Sequence, residues 1–281
     1  MAAITGRRRL WGELMTAAMT CTPSTATDAY DVDETDGRAR SVIGRAAIVL
    51  DAFVDDCVLS LADLTVATGL PRSTVYRFAE QLVGIGWIDR VFNGYRVGLR
   101  LFEIGGRASS ANRLRDCAGP WLLQAQQRSG LAVHLGVLSG SDVVYIDRLV
   151  CSRFRVPSRL GARRPAHCTA LGKAMLAHEP DVIVDEYVDR HLSAVTPATL
   201  TSPAAFRASL GLARTDGAAI EHNEAVVGLS CVAAPVRGSG RAVGAISIVG
   251  PALGFDVRAN TAIVRSAANG IWNELMPSRR S

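Results

Sequence analysis

Gly69-Leu70-Pro71-Arg72-Ser73-Thr74-Val75-Tyr76-Arg77 reads as the junction of two helices, and the reading of the whole chain follows from it. Glycine takes the left-handed conformation that ends a helix, and proline suits the first turn of the next one, where its missing N–H has no partner to lose. Upstream, Ser60 and Asp63 have the spacing of a capping box, so a helix is expected to start at Leu61, run to Thr68 and bury Leu61 and Leu64. Two helices joined by so short a glycine-containing turn have helix-turn-helix geometry.

In the second helix Val75, Phe78, Ala79 and Leu82 form one apolar stripe that must face inward. Arg72, Ser73, Thr74, Tyr76 and Arg77 lie at the leading end and on the outer side. These residue types hydrogen-bond base edges and phosphates, and the N-terminal part of the second helix is what enters the major groove. Trp87–Val91 and Tyr95–Val97, turned at Asn93-Gly94, predict a hairpin with a type I′ turn, a small wing. From it Arg90, Asn93 and Arg96 reach phosphates or the minor groove, or else form a solvated edge. Before the junction, Ala46, Ala47, Leu50, Phe53 and Val54 give a first helix beginning after Ser41.

The stretch Ser60–Arg100, with the nonapeptide above and Tyr95-Arg96-Val97-Gly98-Leu99-Arg100, resembles the winged helix of the IclR family of bacterial transcription regulators. Two later segments, Arg159–Lys173 and Glu224–Val236, resemble that family's effector-binding domain. The resemblance spans roughly Ser41 to Leu275.

A chain of 281 residues, 48% hydrophobic and 20% charged, is expected to form about two globular domains. Its net charge of +5 permits a nucleic-acid partner without requiring one. Lys173 is the one lysine among the basic residues, which points to GC-rich coding and weakens any argument from arginine count. Six scattered cysteines form no Cys-x-x-Cys pair, and no histidine cluster has zinc-site spacing, so reduced thiols, a cytoplasmic location and no metal are expected. No apolar run has the length of a membrane span. Arg7-Arg8-Arg9 before an apolar segment has the outline of a signal peptide, but Glu13 interrupts that segment and no small-residue cleavage site follows. Residues 1–40 are expected to be a disordered tail; a misassigned start codon, with Met15 or Met19 as the real start, gives the same composition.

The expected plan is α+β: the tail, a winged helix-turn-helix over 41–98, linker and dimerisation helices over 99–130, and an effector domain over 131–277. In the linker, Gly105-Gly106 ends a first helix and a second covers Leu114–Ser129, with Pro120 a kink or restart point. Leu101, Phe102, Trp121 and Leu122 exceed what one wing covers and pack either on a partner subunit or within the same chain. In the second domain alternating runs at 132–138 and 143–149 predict a hairpin, with a third strand at 154–160. Helices follow at 170–178, 181–190 and 203–215, the last with Ser202 as its cap, then a second hairpin at 231–237 and 242–249 and a closing helix at 257–275. Strands, helices and strands in that order indicate an antiparallel sheet with packed helices. The resemblance implies a GAF-like fold, in agreement.

Catalytic motifs fail on inspection. Gly172-Lys173 has the outline of a phosphate loop, but His167 stands where its first glycine belongs and Ala174 where the magnesium-binding hydroxyl belongs. His167 and Cys168 are adjacent, and neighbours in sequence point apart. No enzyme activity, catalytic residue or cofactor is expected. The resemblance implies instead a small-molecule effector at Ala170 and Leu171, Glu221, Cys231 and Ser247, with Val249 beside them where many relatives carry a second serine. The ligand expected is an organic or aromatic acid; a sensor domain that has lost its ligand is the alternative. The partners implied are double-stranded DNA at a palindromic operator and further copies of the chain, as a homodimer or a dimer of dimers. Arg148, Arg153, Arg155, Arg159, Arg163 and Arg164 crowd this region, most of them assigned to surface or subunit contacts.

Overall fold

The computed structural model describes residues 41–53 and 57–276; the expected tail and Val54 lie outside them. The chain divides into two compact units, the first ending at Arg107 and the second beginning at Ala108. That boundary falls within the stretch expected to be the linker.

In the first unit, α1 (Val42–Asp51), α2 (Leu61–Thr68) and α3 (Arg72–Gly84) precede a two-stranded sheet of β1 (Ile88–Val91) and β2 (Gly94–Val97), and α4 (Leu99–Gly105) follows. The caps are those the residue types dictate. Ser41 Oγ accepts from Gly44 N at 2.8 Å. Ser60 and Asp63 form a reciprocal box, Asp63 N donating to Ser60 Oγ at 3.2 Å and Ser60 N to Asp63 Oδ2 at 2.9 Å. Gly69 ends α2 at φ 63°. Val75, Phe78, Ala79 and Leu82 enter one core with Val49, Leu64, Ile88 and Tyr95.

The wing departs from the expectation in one respect. Val91 pairs with Gly94, so the turn is Phe92-Asn93 and Gly94 is already strand. Asn93 does not have the positive φ of a type I′ turn. The cause lies outside the hairpin: Leu59 bridges to Tyr95, N to O in both directions at 2.9 and 2.8 Å. A Cβ at Gly94 would sit 2.2 Å from Leu59 O. Glycine is needed there for backbone approach rather than for turn geometry.

The second unit holds a six-stranded antiparallel sheet in the order β5-β4-β3-β8-β7-β6. Its strands are β3 (Ala132–Ser139), β4 (Asp142–Leu149), β5 (Arg163–Pro165), β6 (Ala219–His222), β7 (Leu229–Val236) and β8 (Gly244–Pro251). The period-two alternation of these strands gives the sheet two apolar faces. Val133, Leu135, Val232, Ala234, Ile246 and Ile248 face α5 (Ser109–Ser129) and α9 (Val257–Leu275). Ala132, Cys231, Ala233, Ala245 and Val249 face the other way. There they meet α6 (Ala170–Leu176), α7 (Asp181–His191) and α8 (Pro203–Asp216).

Two expectations are corrected here, and one left between two readings is decided. The segment 154–160 is not a strand; β5 takes the place beside β4. Pro157 cannot donate to a ladder, and the segment is held by side chains instead, with Arg148 donating to Ser158 O and Arg164 to Pro157 O. Strand β6 was not expected at all. Trp121 and Leu122 belong to the core of their own unit, where Trp121 Nε1 donates to Glu274 Oε2 at 3.0 Å. Leu99 and Phe102, by contrast, are largely exposed. The helix α5 runs on through Pro120 without restarting.

Candidate functional site

Two sites can be built from the residues upward, one in each unit. In the first, the stripe that buries Val75 and Phe78 turns Arg72, Ser73, Tyr76 and Arg77 to solvent, with Thr74 half-buried. Arg72 and Arg77 make no ion pair with the described residues. The wing arginines are more engaged. Arg90 pairs with Glu80 and stands 5.6 Å above the Tyr95 ring, while Arg96 lies 3.5 Å from Asp89. Asn93 is exposed at the turn.

In the second unit Ala170, Leu171, Glu221, Cys231, Ser247 and Val249 all line one cavity. Strand register brings most of them together: Glu221 pairs with Cys231, Cys231 with Val249, and Ser247 with His134. The cavity is partly open to solvent. Thr169 caps α6 by accepting from Gly172 N at 3.0 Å. The Ala170 and Leu171 amides precede the first intrahelical acceptor. Gly172 cannot carry a side chain, because its Cβ would fall 2.1 Å from Ala166 O.

The polar groups of the cavity are few and buried. Ser247 Oγ makes no hydrogen bond among the described residues, though the Cys231 thiol, a weak partner, lies beside it. His134 meets Ser158 Oγ at 2.8 Å through Nε2; burial and the nearby Arg148 push its pKa down to about 4, so the ring is neutral at pH 7. Tyr145 packs edge-on against it at 5.2 Å, and burial raises its phenol. Sequence reasoning missed His134, Tyr145 and Ser158 as lining residues, and did not say which of the six crowded arginines faces the cavity; Arg164 lines it.

Glu221 is the one carboxyl in the lining. Its Oε1 accepts from Glu224 N at 2.5 Å and Ala225 N at 3.1 Å, yet burial dominates and lifts it from 4.5 to about 7. The unfolded chain loses this proton near pH 4.5, the folded chain near 7. Its contribution to stability is therefore complete below pH 4.5, falls as pH rises through that window and levels off above it. Urea unfolding at pH 5 and pH 7.5 should show this decline, and Glu221→Gln should flatten it; an equally steep decline in the variant would assign it elsewhere.

The loop after β6 supplies Ala225 and Val226 to the cavity and is fixed from beneath. Lys173 Nζ, on α6, meets Glu224 Oε1 at 2.6 Å, while Thr196 and Thr199 donate to Asn223 O and Glu224 O at 2.6 and 2.8 Å. The dipeptide Gly172-Lys173 is thus structural: the glycine packs against backbone and the lysine is buried in an ion pair. Nor is Cys168 poised as a nucleophile, since burial pushes its thiol up to about 12. Among the described residues no group of three His, Cys, Asp or Glu could hold a metal, and no helix is long and apolar enough to cross a membrane.

The family model described as the IclR helix-turn-helix domain matches residues 42–91, and that described as the bacterial transcriptional regulator IclR C-terminal domain matches residues 107–272. The chain is 32% identical over 212 residues to the HTH-type transcriptional regulator XynR of Escherichia coli, covering 73% of this chain and 84% of that protein. It is 32% identical over 198 residues to the HTH-type transcriptional repressor AllR of Klebsiella pneumoniae, covering 69% and 73%. Among solved structures, an IclR homolog from Microbacterium hydrocarbonoxydans complexed with 4-hydroxybenzoate is 31% identical with a TM-score of 0.75, covering 84% of this chain and 99% of that one. With both family domains matched in order, and with α+β architecture and a helix-turn-helix at its start, the chain belongs to the IclR family of helix-turn-helix transcription regulators.

Proposed function

We propose that this chain is a cytoplasmic regulator whose DNA affinity is set by a small organic acid with an aromatic or apolar body. Residues 41–98 read a palindromic operator through Arg72, Ser73, Thr74, Tyr76 and Arg77, assisted by Arg90, Asn93 and Arg96 on the wing. Residues 99–130 link and dimerise, Leu99 and Phe102 being exposed where a second copy would cover them; the assembly is a homodimer or a dimer of dimers. Residues 131–277 hold the effector.

The observation that carries the reading is the convergence of Ala170, Leu171, Glu221, Cys231, Ser247 and Val249 on one cavity that contains a buried hydroxyl, Ser247, with no partner among the described residues stronger than the Cys231 thiol. Such a hydroxyl is costly to leave dry. Its surroundings are mainly apolar, from Leu171, Val226, Leu229, Cys231 and Val249, which favours a ring over a two- or three-carbon acid. The 4-hydroxybenzoate bound by the Microbacterium homolog is a ligand of this kind. In this chain the carboxylate meets the Ala170-Leu171 amides, the ring lies near Cys231 and Val249, and Ser247 bonds a polar substituent.

Titration calorimetry with a panel of benzoic acids and small oxoacids tests this. A benzoic acid should bind tightest. Val249→Ser should weaken it on the order of tenfold, the cost of a lost apolar contact, and Ser247→Ala by a similar or smaller factor through a lost hydrogen bond. Tighter binding of a two- or three-carbon oxoacid, with Val249→Ser unchanged, would overturn the ligand class.

A further inference from the structure

The winged helix lacks the charge that usually drives DNA binding. Over residues 41–107 seven arginines stand against seven aspartates and glutamates, with no lysine. Of the wing's two arginines, Arg90 is engaged by Glu80 and Arg96 lies near Asp89. Affinity that comes from releasing counterions scales with the phosphates neutralised, so this unit has a small electrostatic contribution to draw on. Contacts of another kind have to supply the difference.

Phe92 is such a contact in waiting. It occupies the first position of the two-residue wing turn, between Val91 and Asn93, and is fully exposed. Neither local structure nor packing accounts for it. Hairpin turns favour Gly, Asn, Asp, Ser and Pro for their backbone preferences, none of which phenylalanine shares. The side chain belongs to no core cluster of its unit. On the same wing, Asn93 and Arg96 are exposed hydrogen-bond donors of the kind that line a DNA contact. Apolar side chains that enter DNA do so from the minor groove, where phenylalanine wedges against sugars or between base steps and opens them.

We propose that Phe92 inserts into the minor groove flanking the major-groove segment read by α3, and supplies salt-independent affinity. This rests on the DNA-reading role of α3 and can fail separately from it. The sequence at that flank would then be selected for easily unstacked pyrimidine–purine steps, without any hydrogen bond to a base.

The test uses the full chain and a duplex selected by it from random sequence, with 2-aminopurine placed in the flank and binding followed by anisotropy at several salt concentrations. Phe92→Ala should bind about tenfold more weakly at every salt concentration, with the slope of log affinity against log salt unchanged and the 2-aminopurine signal of unstacking lost. Phe92→Trp should preserve both. Arg72→Ala, in contrast, should reduce the slope by about one. Wild-type affinity and unstacking in Phe92→Ala would overturn the proposal. So would a changed salt slope, or a changed sedimentation coefficient without DNA, which would assign Phe92 to a contact between copies. Failure of the wild type to select any duplex would instead defeat the DNA-reading role itself.

Discussion

Lys173→Ala should destabilise the second unit by about 3–5 kcal/mol, the cost of leaving a buried charge without its partner. The Lys173 side chain is 2% exposed and its Nζ lies 2.6 Å from Glu224 Oε1. The other oxygen, Glu224 Oε2, already has no hydrogen-bond partner among the described residues. Removing the ammonium leaves a buried carboxylate without its ion-pair partner; the loop carrying Ala225 and Val226 would loosen with it. Replacing both partners by apolar residues, as in Lys173→Met with Glu224→Leu, removes the stranded charge and should recover much of the loss. Urea unfolding of the three proteins decides the matter: a single-variant loss below about 1 kcal/mol would show that the pair is not structural.

Phe78→Ala should cost the first unit about 3–5 kcal/mol, because Phe78 is buried in one small core with Val49, Leu64 and Ile88. Arg77→Ala, one position away, should do the opposite. Arg77 is exposed, so folding should stay nearly intact while specific DNA binding weakens by about 1–3 kcal/mol. Thermal unfolding and a footprinting titration on both variants separate the roles. An intact fold in Phe78→Ala, or unchanged operator affinity in Arg77→Ala, would contradict the assignment of inward and outward faces on α3.

Those faces were legible because each local signal agreed with the next: the Ser60–Asp63 box, Gly69, Pro71 and the Val75–Leu82 stripe all imply one geometry. The wing turn was misplaced by one residue because Gly94 answers to Leu59, a neighbour outside the hairpin that no pattern within it shows. Strand β6 was invisible for a more informative reason. Its inward residues are Ala219 and Glu221, while Ile220 faces solvent, so its polarity runs opposite to what burial ordinarily selects. The residue that inverts the pattern is the one that lines the cavity. His134 and Tyr145 were overlooked because in alternating strands a ring on the inner face reads as ordinary core. The net charge misled in its own way: the winged helix is electrically balanced, so the excess of +5 lies elsewhere in the chain.

The most direct test of a ligand-controlled regulator is the affinity of the full chain for its selected operator with and without a saturating benzoic acid. A coupling of about 1–3 kcal/mol, a shift of roughly 5- to 150-fold in either direction, is expected. The same shift should shrink in Val249→Ser at wild-type ligand concentrations. Identical operator affinity with and without every acid that calorimetry shows to bind would contradict the account, for the cavity would then hold a ligand to which the DNA-reading unit does not respond.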